Sequence, residues 1–202
     1  MRSVRDLVPA KEWIPVPQPS MALNSPTAPC KYRMYNSWDV PWNRTPKEIF
    51  DWAASVGRGC PRGRLHALVI NCHGEYSKAD DGKIVGGFGL QIGKGLHLGD
   101  VGTMSVLRGT VDQILITACG TARIANPGKP EGDGNAFCSA MARAAGCTLV
   151  AATTQQMAFM WAPKDHISNW EGNIVTYNSN GAIVNMINHG IGILDRWSYG
   201  PD

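Results

Sequence analysis

Two apolar runs, each ending at a reactive residue followed by glycine, constrain this chain more than anything else in it. Leu-Val-Ile-Asn-Cys-His-Gly occupies 68–74, and Ile-Leu-Ile-Thr-Ala-Cys-Gly occupies 114–120. Short runs of β-branched apolar residues bounded by polar residues or glycine read as strands buried on both faces, as in a parallel sheet. Ligands in open α/β sheets bind beyond the carboxyl ends of the strands. Two neighbouring strands of this kind set the imidazole of His73 beside the thiol of Cys119 on that edge.

The rest of the sequence supplies the elements such a sheet needs. Residues 1–30, rich in Pro, Ser and Ala, read as an extended or poorly ordered N-terminal arm, and 31–202 as a single domain. Residues 31–38 alternate as a first strand. Thr45, Pro46 and Glu48 form a capping-box start for a helix carrying Ile49, Phe50, Trp52, Ala53 and Val56 on its apolar stripe, with Gly57 at its end. The His strand covers about 65–72, and 83–85 and 88–92 read as hairpin arms. A short helix capped by Asp100 precedes the Cys strand. A helix over about 135–145, stopped by Gly146, then leads to a strand over 147–153. Asn178-Ser179-Asn180-Gly181 between two apolar segments signals a hairpin. Right-handed crossovers make the successive strands parallel and place helices on both faces, an α/β/α sandwich with a mainly parallel central sheet.

Bulk properties exclude several classes. Apolar residues are 44% of the chain and charged residues 17%, a globular balance. The net charge of +3 is scattered along the chain, with no basic cluster of the kind nucleic-acid binding requires. No apolar run approaches the roughly 18–20 residues of a membrane span. With no classical signal peptide, the expected location is cytoplasmic, or secreted by another route. Cysteines stand at 30, 60, 72, 119, 138 and 147 without C-x-x-C or zinc spacing, so the expectation is reduced thiols, no metal and no cofactor.

A thiol becomes a good nucleophile as thiolate, which a neighbouring base provides. His73 fits that role and can then protonate the leaving group. Gly74 lets the backbone turn and present its N–H, which with the N–H of Cys119 forms an oxyanion hole. Cys72 adjoins His73, but strand alternation turns the two side chains to opposite faces. Thr153 and Thr154, ending the next strand, are candidates for the rim of a substrate pocket. Glu75, Asp80 and Asp81 are candidates to receive a basic substrate side chain, with a solvated turn as the alternative. His66, His97, His166 and His189 lack the strand-and-glycine context and read as surface or loop residues.

The order of apolar strand, His73-Gly74, a gap placing Cys119 46 positions beyond His73, a second apolar strand and Ala118-Cys119 resembles the caspase-like cysteine peptidases. That clan includes caspases, clostripain, separase and gingipains. The resemblance covers about residues 45–155, including the Gly-rich segment after His73 and the segment 135–153. It implies an endopeptidase of protein or peptide substrates that acts through a thioester on Cys119, with His73 as acid and base and Gly74 N–H in the oxyanion hole. The Gln-Ala-Cys-x-Gly signature of true caspases is absent, since Thr117 precedes Ala118 and Gly120 follows Cys119 directly. No arginine stands at an obvious position beside the cysteine, so cleavage after aspartate is not implied. Two other readings keep the same fold. One is a secreted effector or toxin checked by an immunity or inhibitor protein. The other is a non-catalytic binding module.

Overall fold

The structure, a computed structural model, describes residues 13–78, 80, 84–125, 129, 132–156 and 161–188, with backbone alone at 84–87. Its centre is a seven-stranded mixed sheet. The strands are β2 (Ser20–Asn24), β3 (Asn36–Asp39), β4 (Leu65–Asn71), β8 (Val111–Ile116), β9 (Thr148–Ala152), β11 (Asn173–Tyr177) and β12 (Ile183–Asn188). Their spatial order is β12-β11-β9-β8-β4-β2-β3. Pairing is parallel from β3 through β9, then antiparallel where β11 joins β9 and β12 joins β11. The architecture is therefore α/β with a mixed sheet, where a mainly parallel one was expected. The hairpin legible at 173–188 folds back onto β9 and reverses the strand direction.

The apolar runs form strands because both faces of the sheet are covered. Leu68 and Ile70 of β4, with Ile114 and Ile116 of β8, pack on one face beneath the helices. Ala67, Val69 and Leu115 point to the other. Fully burying a side chain of the Leu or Ile class contributes about 1.5–3 kcal/mol, so this alternation fixes the register.

Among the described residues the two faces are covered differently. Helix α1 (Pro46–Gly59), the 3-10 segment Leu98–Leu107 and helix α2 (Gly134–Ala145) all bury their apolar residues in the same cluster, on one face. Among the described residues the opposite face is closed by Val16, Tyr32, Met34, Ala162, Ile167 and Trp170. These come from irregular chain and from the ribbon of β1 (Trp13–Pro15) with β10 (His166–Ser168). Trp170 is anchored by its indole N–H to the Ile116 carbonyl at 2.8 Å. Irregular cover of this kind has no period for a sequence to display.

The N-terminal arm also needs correction over its described part. Strand β2 is buried at every position and sits between β3 and β4, so residues 20–24 are interior sheet. The first strand expected at 31–38 is displaced to β3. Helix α1 forms as read: the Thr45 hydroxyl accepts from Glu48 N–H at 3.3 Å, and Glu48 accepts from Thr45 N–H at 2.8 Å. Its buried stripe contains Ala54 and Gly57, while Trp52 is half-exposed against Trp38. Residues 84–91 form one strand, β6, between β5 (His73–Lys78) and β7 (Leu96–His97) in a separate three-stranded sheet. The hairpin arms read within 83–92 are thus a single strand whose partners lie outside that segment. Asp100 lies inside the 3-10 segment and accepts from His97 N–H at 3.1 Å.

Candidate active site

Strands β4 and β8 are parallel neighbours, so His73 and Cys119, each just beyond a carboxyl end, come to one edge of the sheet. Side chains one step back pin that edge. Asn71, the last residue of β4, donates from Nδ2 to Asn24 Oδ1 at 2.8 Å and to the Cys30 carbonyl at 2.6 Å. Thr117 donates from Oγ1 to Asn71 Oδ1 at 3.3 Å and from its N–H to the Ile70 carbonyl at 3.1 Å. Asn24, the last residue of β2, donates to the Tyr32 carbonyl and accepts from Tyr32 N–H. Three strand ends are therefore tied by buried amides and a hydroxyl immediately beneath the reactive residues, a satisfied polar network of the kind that rigidifies a core.

His73 is exposed, and its Nε2 lies 3.2 Å from the Thr27 carbonyl oxygen. A carbonyl only accepts, so that nitrogen carries the hydrogen. In the neutral ring Nδ1 then keeps its lone pair. Cys119 is half-buried, and its sulfur accepts from Gln156 N–H at 3.2 Å. Gln156 is clamped in turn: its Nε2 donates to the carbonyls of Thr154 at 3.0 Å and Glu171 at 3.1 Å, and its Oε1 accepts from Glu171 N–H at 2.9 Å.

The turn after Cys119 requires Gly120, which has φ +59° and donates to the Thr154 carbonyl at 2.7 Å. Gly74 is demanded by proximity. A Cβ there would overlap the Cys119 carbonyl and stand 3.4 Å from the Cys119 nitrogen. In comparison with known proteins, no family model and no curated protein matches this chain.

Cys72 is buried in the helix-side core, while His73 is exposed on the other side of the chain. Burial, with the neighbouring Cys119 as a second cause, pushes the Cys72 thiol far up, which leaves it a neutral thiol. Among the described residues, no group of three or more His, Cys, Asp or Glu is placed to hold a metal ion.

The proposed rim residues separate into two places. Thr153 and Thr154 line a cavity of about 420 Å³ together with Arg123, Asn135, Asn173 and Tyr177. Thr153 is fixed by its backbone, donating to the Asn173 carbonyl at 2.9 Å and accepting from Arg123 Nε at 3.0 Å. The Thr154 hydroxyl donates to the Glu171 carbonyl at 2.7 Å, so it serves the loop that carries Gln156. Glu75 and Asp80 are elsewhere. Glu75, on β5, meets His97 Nε2 at 3.2 Å, and Asp80 is exposed in the turn beyond that strand. Asp81 and His189 lie outside the described residues. His66 joins a surface cluster with Asp112, and His166 Nδ1 lies 2.7 Å from the Lys164 carbonyl.

Sequence reasoning missed Thr27, Gln156 and Arg123. Thr27 and Gln156 contribute a main-chain carbonyl and N–H, which no residue type announces. Arg123 has no neighbour in sequence that marks it. Asn24 and Asn71 carried a readable signal, since each is an amide ending an apolar run.

Proposed function

We propose that this chain is a caspase-like cysteine endopeptidase, with Cys119 as nucleophile and His73 as general acid and base. The observation that carries the reading is the meeting of two residues at the carboxyl ends of β4 and β8. His73 is oriented through Nε2 by the Thr27 carbonyl, and Cys119 has its peptide group against Gly74. The Gln156 N–H on the sulfur adds a donor suited to negative charge there.

In the first half-reaction His73 takes the thiol proton and the sulfur attacks the substrate carbonyl. The oxyanion is met by the N–H groups of Gly74 and Cys119. Collapse breaks the C–N bond, the amine leaves with the proton from His73, and a thioester remains on Cys119. Water, deprotonated by His73, then attacks the thioester and releases the acid and the thiol. The reaction is acyl transfer through sulfur, and proteins or peptides are its substrate class.

The test is cleavage of a diverse peptide mixture by the wild-type chain and by Cys119→Ala and His73→Ala, read by mass spectrometry. Cleavage by wild type alone supports the assignment. Undiminished cleavage by Cys119→Ala overturns it.

A further inference from the structure

Five arginines that are scattered along the sequence are brought together by the fold at one end. Arg58 lies in the last turn of α1, where the adjacent Gly57 packs against Thr110, the residue before β8. Arg62 and Arg64 lead into β4. Arg108 leads into β8, and its Nη2 donates to the Arg143 carbonyl. Arg143 stands in the last turn of α2, with its side chain beside Gly181 in the β11–β12 turn. All five arginines are exposed. They surround the amino ends of β4, β8 and β9, at the opposite end of the sheet from His73 and Cys119.

Local neutralisation is incomplete. The Asp112 carboxylate lies 3.3 Å from Arg64, 3.6 Å from Arg62 and 3.7 Å from His66. Arg58 and Arg143 complement helix C-termini, each equivalent to about half a negative charge. Among the described residues, one carboxylate and two helix ends leave the five guanidiniums in excess.

The residue type narrows the partner. All five cations are arginine, although lysine supplies 8 of the 19 Lys and Arg in the chain. The planar guanidinium fork matches phosphate oxygens bidentately, which an ammonium does not. Beside Arg143, across the turn, β12 begins with Ile183 and Val184, 46% and 58% exposed. A nucleic-acid backbone gains little from exposed aliphatic side chains, whereas a lipid–water interface rewards both basic and apolar groups.

We propose that this end docks on an anionic phospholipid surface, leaving the edge with His73 and Cys119 directed away from the membrane. The experiment is co-sedimentation of the full chain with phosphatidylcholine vesicles, with and without about one third phosphatidylserine. Binding is expected only to the mixed vesicles and is lost at high salt. Each basic residue near such a surface contributes about fivefold. Arg58→Gln with Arg143→Gln, both outside the Asp112 cluster, is therefore expected to weaken binding about 25-fold. Val184→Ser weakens it further, and circular dichroism verifies that each variant is folded. Three results overturn the proposal: no binding to mixed vesicles, equal binding by folded arginine variants, or binding of a short DNA duplex without binding of vesicles.

Discussion

Gly74 lies so close to Cys119 that a Cβ on it would overlap the Cys119 carbonyl oxygen. Main chain meets main chain here, so no rotamer change relieves the overlap. Gly74→Ala is expected to destabilise the fold by about 1–3 kcal/mol, the range for overpacking a tight site. Peptide hydrolysis is expected to fall about a hundredfold through displacement of the reacting groups. Thermal unfolding and steady-state kinetics measure the two effects separately. Wild-type activity in the alanine variant contradicts the close approach.

His73 and Cys119 rest on the network beneath them and do not hold it together. Cys119→Ala and His73→Ala are therefore expected to unfold within a few degrees of wild type. Under the proposed mechanism, His73→Ala is expected to lower turnover by about 10²–10⁴, the usual contribution of general acid–base catalysis, and Cys119→Ala to abolish it. The same geometry predicts selective alkylation. Cys119 is half-buried, whereas Cys30, Cys60, Cys72, Cys138 and Cys147 are buried. Peptide mapping after brief native alkylation is expected to find the label on Cys119. Equal labelling of Cys72 contradicts this assignment.

Asn71 holds three strand ends at once. Asn71→Ala removes its two donated bonds and leaves Asn24 Oδ1 and the Cys30 carbonyl without that donor. A buried group deprived of its partner costs about 1–3 kcal/mol, and denaturant titration is expected to show a loss at least that large. The loss of the proposed activity is expected to exceed the fraction unfolded, because His73 and Thr27 both follow strand ends tied by this amide. A variant as stable as wild type shows that the network is dispensable.

Buried thiols make the fold sensitive to alkali. Burial pushes Cys147 from its ordinary 9.0 up to about 12, and pushes Cys72 and Cys138 up as well. These groups hold their protons more tightly when folded. Their contribution is complete below the unfolded value near 9 and is lost as pH rises toward the folded value. Between about pH 9 and 12 each buried thiol lowers stability by about 1.4 kcal/mol per pH unit. Urea midpoints are expected to be flat with respect to these groups below pH 8 and to fall above pH 9. In Cys147→Ala the alkaline slope is shallower by one group.

What the sequence determined by itself is local in origin. Helix α1 was readable because Thr45 and Glu48 satisfy each other three residues apart. Strands β4 and β8 were readable because burial on both faces demands unbroken apolar runs. The β11–β12 hairpin was readable from its Asn-Ser-Asn-Gly turn. The placement of His73 and Cys119 just past the carboxyl ends of β4 and β8 was also legible, because each follows shortly after an unbroken apolar run. Tertiary structure alone decided that the described helices cover one face, that β2 enters the sheet interior, and that the hairpin makes the sheet mixed. It also supplied the Thr27 carbonyl and the Gln156 N–H, and it gathered Arg58, Arg62, Arg64, Arg108 and Arg143 at one end. Those features depend on contacts between residues tens of positions apart, through main-chain atoms and charges common to every stretch of chain. Periodicity and capping report only on neighbours; the packing of the sheet decides which distant neighbours meet.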